Sequence, residues 1–148
     1  MGAGLRWVVV IGHLGLNVDD LERARAHWAV LMPLLDFEPF LDSPDEFAYR
    51  PADGKPGTYL FFYASQDRAA AGYSRHRSGL QHLAFMVPTR ARVHELAAQA
   101  EALGCELDAP PQEYSQYHPG YFGVFWEDQE GFMIEVVNHR DQESTDRS

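Results

Sequence analysis

Three ionisable residues stand where apolar side chains would pack without difficulty. His82 interrupts the run LQHLAFM, His13 falls in GHLGLNV, and Glu135 lies in FMIEVV between Ile134 and Val136. A lone histidine in such a run has a bland explanation, a core residue whose ring nitrogens find backbone carbonyls. A lone glutamate has one too, in an arginine partner or a strand edge facing water. Taken together the three point to different chemistry. A carboxylate in an apolar strand is costly unless it is paired, and two imidazoles with one carboxylate satisfy each other when they project into one cavity around a divalent cation.

The elements that must position them recur twice along the chain. With an offset of 69, GHLGLNVDDLERARAHWAVL matches QHLAFMVPTRARVHELAAQA, which sets His13 on His82, Leu14 on Leu83, Leu16 on Phe85 and Val18 on Val87. Each strand-like run precedes a helix-like one. In the first, Asp19 or Asp20 serves as N-cap, and Leu21, Ala24, Trp28, Leu31 and Leu35 form one stripe. In the second, Thr89 caps, Val93, Leu96, Ala97, Ala100 and Leu103 form the stripe, and Gly104 suits the residue after the helix. Three shorter strands follow each helix: FEPFL, EFAYR and TYLFFYA, then CELDA, YFGVFW and FMIEVV, with Gly and Pro between them. The last strands superpose as well, placing Phe61 opposite Glu135. The chain therefore reads as an α+β fold of two βαβββ modules, about 7–64 and 80–139, joined by a linker over 65–79, followed by a tail over 140–148 that frays. The repeat is too long for a solenoid and implies one domain built from two units.

Alternation along a strand separates two faces. Leu83, Phe85 and Val87 share one face, while His82, Ala84 and Met86 share the other. Leu14, Leu16 and Val18 oppose His13, Gly15 and Asn17; Phe132, Ile134 and Val136 oppose Met133, Glu135 and Val137. One face is apolar each time and suits packing under the helices, and the ionisable residue lies on the other. Helices on one side of each curved sheet leave those other faces to line a concave surface.

Bulk properties limit the partners. With 148 residues, 45% of them hydrophobic, the chain can bury a core without staples. Twelve basic against 22 acidic residues give a formal charge of −10, which argues against nucleic acid and anionic membrane as partners. The single Cys105 forms no internal disulfide and reads as packing in a reducing compartment. The stretch LRWVVVIGHLGL is too short to span a membrane and has no cleavable signal layout, so a cytoplasmic location is expected.

On these residues the chain resembles the vicinal oxygen chelate superfamily, which includes glyoxalase I, fosfomycin resistance proteins, methylmalonyl-CoA epimerase, extradiol dioxygenases and bleomycin-binding proteins. The resemblance covers residues 7–139, through GHLGLNV entering DDLERARAHW, LQHLAFMV, and YFGVFWEDQEGFMIEVV. It implies paired modules enclosing a metal cup, with His13, His82 and Glu135 as ligands and Phe61 in the fourth, non-coordinating position. Phe61 departs from the four-ligand sites of the glyoxalase I and epimerase kind. The remaining set, two histidines and a carboxylate, is the facial arrangement of non-haem Fe2+ oxygenases, also usable by Mn2+, Zn2+ or Ni2+. Phe125 replaces the tyrosine that extradiol enzymes carry six residues before the turn glycine, and no Lys/Arg cluster follows Glu135 to hold a phosphonate.

Tyr117, His118 and Tyr121 lead into the same strand, and Tyr121 or His118 can supply a hydrogen bond or move a proton; the plain alternative is an aromatic loop that closes the cup. Phe61, Tyr59 and Tyr63 share a strand face and, with Phe125 and Tyr49, are candidates to line the substrate cavity. His27 and His94 fall in helices among Arg and Glu and read as solvated; His76 lies in the polar linker. The resulting expectation is a metal-dependent enzyme for a small oxygen-chelating substrate, of lyase, isomerase or dioxygenase type. The rival is a small-molecule or drug-binding protein on the same fold that performs no chemistry. The modules pair within one chain, or exchange in a homodimer so that His13 joins His82 and Glu135 of another copy.

Overall fold

A computed structural model describes residues 10–68 and 72–141. The first module runs β1 (His13–Val18), α1 (Leu21–Leu34), β2 (Phe37–Asp42), β3 (Glu46–Pro51) and β4 (Tyr59–Ala64). The second runs β5 (Leu83–Met86), α2 (Arg90–Ala102), β6 (Gln112–Glu113), β7 (Phe122–Glu127) and β8 (Met133–Asn138). Each builds a four-stranded mixed sheet, ordered β1-β4-β3-β2 and β5-β8-β7-β6. In both, the first strand is an edge strand that pairs in parallel with the last. The identical orders are the expected βαβββ repeat. Residues 7–9 of the first expected module and 142–148 of the tail lie outside the described residues.

Local chemistry sets the helix ends. The Asp20 side chain accepts from the Arg23 amide at 3.0 Å, and Thr89 accepts from Arg92 at 3.1 Å, each satisfying an orphan donor of the first turn. Gly104 follows α2 at φ +89°, a conformation glycine adopts without cost.

The apolar stripes of both helices and the inner faces of both sheets form one continuous core. Its centre spans the modules: Trp28 meets Phe85 at 5.9 Å and Phe62 at 5.3 Å between ring centroids. Arg92 of α2 donates to the Leu34 carbonyl at the end of α1 at 2.7 Å. The acidic turn of the second module clasps the start of α1. The Glu130 carboxylate accepts from the Asp19 and Asp20 amides at 2.9 and 3.1 Å and from the Arg23 guanidinium at 3.1 Å, where the helix dipole favours negative charge.

The sequence reading needs three corrections. CELDA is not a strand: Leu107 makes one isolated bridge to Trp126, and pairing resumes only at the two-residue β6. Pro110 and Pro111 between them lack the N–H a ladder needs. Tyr49 is buried in the core against Phe47 instead of lining a cavity. His27 is not solvated; it is 4% exposed, with both ring nitrogens unpartnered. Ala24, His27 and Leu31 follow helical spacing, so His27 belongs to the buried stripe of α1. His94, by contrast, is exposed.

Among the described residues, no helix is long and apolar enough to cross a membrane.

Candidate metal centre

β8 is the inner strand that carries Glu135. Its neighbours in register are Phe125 of β7 and Ala84 of β5. All six residues of β8 are buried, because the helix side covers Ile134 and Val136 while Phe125 and the Tyr114–Tyr121 segment cover the other face. Glu135 is 3% exposed. His82 lies one residue before β5, and its side chain remains 45% exposed at the mouth. Its Nε2 stands 3.6 Å from Glu135 Oε2, too far for a hydrogen bond. Nitrogen and oxygen ligands of one cation, each bonded at about 2.0–2.2 Å, stand roughly 3–3.5 Å apart. The Gln81 side-chain oxygen accepts from His82 Nδ1, which leaves the Nε2 lone pair for the cavity.

The other carboxylate oxygen is held by Tyr121, whose hydroxyl donates to Glu135 Oε1. Burial, and then this bond, raise the phenol pKa above its ordinary value. Tyr121 is thus a fixed donor at neutral pH. A cavity of about 430 Å³ opens over these groups, lined among others by Arg75, His82, Tyr117, Tyr121, Phe125 and Glu135. Arg75 is paired with Glu127 at 3.0 Å, so its charge is committed away from Glu135. Gln81, Asp108 and Met133 complete the wall. Arg75 and Asp108 were not singled out from the sequence: Arg75 lies in the polar linker, and Asp108 in CELDA, expected as a strand but irregular in the structure. Strand alternation places Met133 on the face of Glu135, and Met133 lines the cavity.

The first sheet carries the remaining candidates. His13 is exposed at the start of β1, its ring 5.7 Å from that of Phe61. Phe61 and Tyr63 lie nearly parallel at 10° and 6.3 Å, while Phe40 meets Tyr59 at 5.0 Å. Tyr63 lies over Gly15, where a Cβ would come within 3.2 Å of its ring. His13, Tyr59, Phe61 and Tyr63 therefore share one open aromatic face. None of them lines the cavity at Glu135, and among the described residues no three His, Cys, Asp or Glu side chains of one chain converge on an ion. The chain brings His82, Glu135, Tyr121 and Phe125 together and holds His13 apart on the other sheet.

His118 does not line the cavity either. Its Nδ1 donates to the Pro119 carbonyl at 2.9 Å, and its Nε2 faces His139 Nδ1 at 2.6 Å. Cys105 is buried, and burial pushes its thiol up to about 11, which leaves it a packing residue.

Comparison with known proteins agrees with this architecture. A solved structure of a glyoxalase-assigned protein from Bacillus halodurans superposes with TM-score 0.71 at 29% identity, over 92% of this chain and 96% of that one. A FosX variant from Listeria monocytogenes, solved with Mn(II) and 1S,2S-dihydroxypropylphosphonic acid, shares the fold at TM-score 0.63 and 18% identity, over 95% and 98% of the two chains. Lactoylglutathione lyase from Agrobacterium tumefaciens shares it at TM-score 0.61 and 21% identity, over 87% and 92%. The uncharacterized protein YqjT of Bacillus subtilis is 27% identical over 131 residues, 84% of this chain and 95% of its own length. Residues 10–136 match the family model of the Glyoxalase/Bleomycin resistance protein/Dioxygenase superfamily, and the chain belongs to that superfamily.

Proposed function

We propose that this chain is a divalent-metal-dependent enzyme of the glyoxalase/dioxygenase type, acting on a small organic substrate that chelates through adjacent oxygens. The observation that carries the reading is the buried Glu135 carboxylate, with one oxygen held by Tyr121 and the other turned toward His82 in the cavity wall. Among the described residues Glu135 makes no ion pair with lysine or arginine; burial of such a carboxylate is costly, and a cation shared with His82 offsets that cost. His82 and Glu135 fit Fe2+, Mn2+, Zn2+ or Ni2+ as a nitrogen and an oxygen donor. Two donors do not make a site. In this reading the third is His13 of a second copy, because His13 of the same chain stands on the other sheet.

Exposed apolar groups on the faces concerned support such a homodimer: Met86 is 73% exposed, Phe40 47% and Tyr63 38%. β1 and β5 are also both edge strands. Docking His13 this way brings Tyr59, Phe61 and Tyr63 over the cavity, opposite Phe125, Tyr117 and Met133. These side chains would hold an apolar or aromatic substrate body and exclude water. A bound metal supplies Lewis acidity and orients the substrate oxygens. Tyr121 fixes the carboxylate with its one hydroxyl proton, and its oxygen would remain an acceptor in the cavity wall.

Metal analysis of protein purified without chelators tests the reading. About one ion per chain is expected, lost in His82→Ala and Glu135→Gln. A content near zero that does not rise on adding Fe, Mn, Zn or Ni rejects it. Mixing His13→Ala with His82→Ala chains separates the two arrangements: a shared site regains one intact centre per mixed dimer, whereas a site within one chain regains none. Turnover of catechols and 2-oxoaldehydes with defined metals then assigns the reaction. The open aromatic face favours one other reading, a binding protein for aromatic compounds without chemistry; ligand affinity unchanged by His82→Ala would select it.

A further inference from the structure

His118 and His139 form a pair whose geometry is unusual for two surface-proximal histidines. Their facing nitrogens are 2.6 Å apart, the centroids 4.9 Å apart, and the ring planes differ by only 23°. That combination sets the imidazoles nearly end to end in a common plane instead of face to face. The Pro119 carbonyl takes the Nδ1 proton of His118, so in the neutral pair His118 Nε2 carries the lone pair and His139 Nδ1 donates to it. The bond has a defined direction.

The pair brackets Tyr121. The Tyr121 ring meets His118 at 5.1 Å and 74°, and His139 at 5.1 Å and 85°. It thus presents an edge-to-face contact to each imidazole, an arrangement aromatic rings favour. The backbone supports the same clamp. Tyr121 directly precedes β7 and His139 directly follows β8, in a ladder where Phe122 faces Asn138. The turn from His118 to Tyr121 passes through Gly120 at φ +83°, where a Cβ would lie 3.5 Å from the His139 carbonyl, and the Tyr121 amide donates to His118 O at 3.2 Å.

We infer that His118 and His139 are positioning residues: their mutual hydrogen bond clamps the Tyr121 ring so that its hydroxyl holds Glu135 Oε1 and leaves Oε2 free toward His82. The effect reaches Glu135 through Tyr121, while its consequence for metal binding rests on the function proposed above. Outer residues that orient a ligand in this way typically change metal affinity 10–100-fold when removed.

Two readouts on the full chain separate the inference from that function. The first needs no metal. Tyrosines labelled at the ring carbon bearing the hydroxyl report the Tyr121–Glu135 bond by NMR, with the Tyr121 signal identified by its loss in Tyr121→Phe. It is expected to move toward the free-tyrosine position in His139→Leu and in His118→Leu. In His139→Asn, whose side-chain amide keeps a donor where Nδ1 was, it is expected to stay. An unmoved signal in both leucine variants, or an equal shift in His139→Asn, overturns the clamp. The second readout is Mn2+ titration. His139→Leu is expected to weaken binding about tenfold in the wild-type background and not at all in Tyr121→Phe; equal weakening in both would mean a merely structural role and overturn the inference. Absence of Mn2+ binding by the wild type would sink the metal reading alone, and the tyrosine signal would still decide the clamp.

Discussion

Replacing His27 by leucine should change how stability depends on pH, in a direction and size set by its surroundings. Burial lowers the His27 pKa from 6.5 to about 4, and neither ring nitrogen has a partner. The folded state therefore binds fewer protons than the unfolded chain between those values. The stability associated with neutral His27 is complete above pH 6.5, falls as pH drops through the window, and stops falling near pH 4. A shift of roughly 2.5 units at 1.36 kcal/mol each amounts to ~3 kcal/mol. Leucine has similar bulk, keeps the helix and removes the two unpartnered nitrogens, so His27→Leu should be as stable as the wild type or ~1 kcal/mol better at pH 7.5. At pH 4 its advantage should have grown by ~3 kcal/mol. Asp128, beside the same small cavity, works in the opposite direction. Burial raises its carboxyl to about 6, so its contribution is lost as pH rises through that value. The wild-type profile mixes both trends, and the difference between variant and wild type isolates His27. Urea unfolding at pH 4.0, 5.5, 6.5 and 7.5, with m-values checked for constancy, measures that difference. Parallel profiles would show that His27 titrates normally, and the account of its burial would be wrong.

Other perturbations have equally definite outcomes. Asp128→Asn keeps an acceptor for the Glu130 and Phe132 amides and removes the buried charge; urea midpoints should rise above pH 6 and leave a steeper loss of stability toward pH 4. Gly123→Ala places a Cβ 3.0 Å from the Val136 carbonyl oxygen, forcing β7 from β8 beside Glu135, and should cost about 1–3 kcal/mol by the same assay. Gly15→Val should push Tyr63 aside with little loss of fold, weakening aromatic-ligand binding in a fluorescence titration. Tyr121→Phe should retain the fold by circular dichroism but lower Mn2+ affinity about tenfold, the usual scale for losing a hydrogen bond to a ligating carboxylate.

The fold was legible because its two signals reinforce each other. Helical stripes such as Val93, Leu96, Ala97 and Ala100, and strand alternation such as Leu14, Leu16 and Val18, both report one-sided burial, and those residues are at the core or packed on it. Half of the candidate site was legible for the same reason: His82 and Glu135 broke apolar runs, and they do meet across the cavity. What escaped depends on interactions that no period encodes. His27 resembled its charged neighbours in type, although its spacing matched the buried stripe. The distance between His13 and the other two follows from helix–helix and Trp28–Phe85 packing between modules, which strand parity cannot express. The His118–His139 bond is made by a turn that folds back on the end of a strand, and nothing in either segment alone announces it.

The Glu130 clasp has a mechanical corollary. Swinging one sheet away from the other would strand the carboxylate, two amides and a guanidinium at once, and would also part Trp28 from Phe85. The contacts that join the two halves of the polypeptide would therefore have to break together. The space above Glu135 already opens at His82, and its lining residues run from Arg75 to Glu135, so reaching it does not require the two sheets to part.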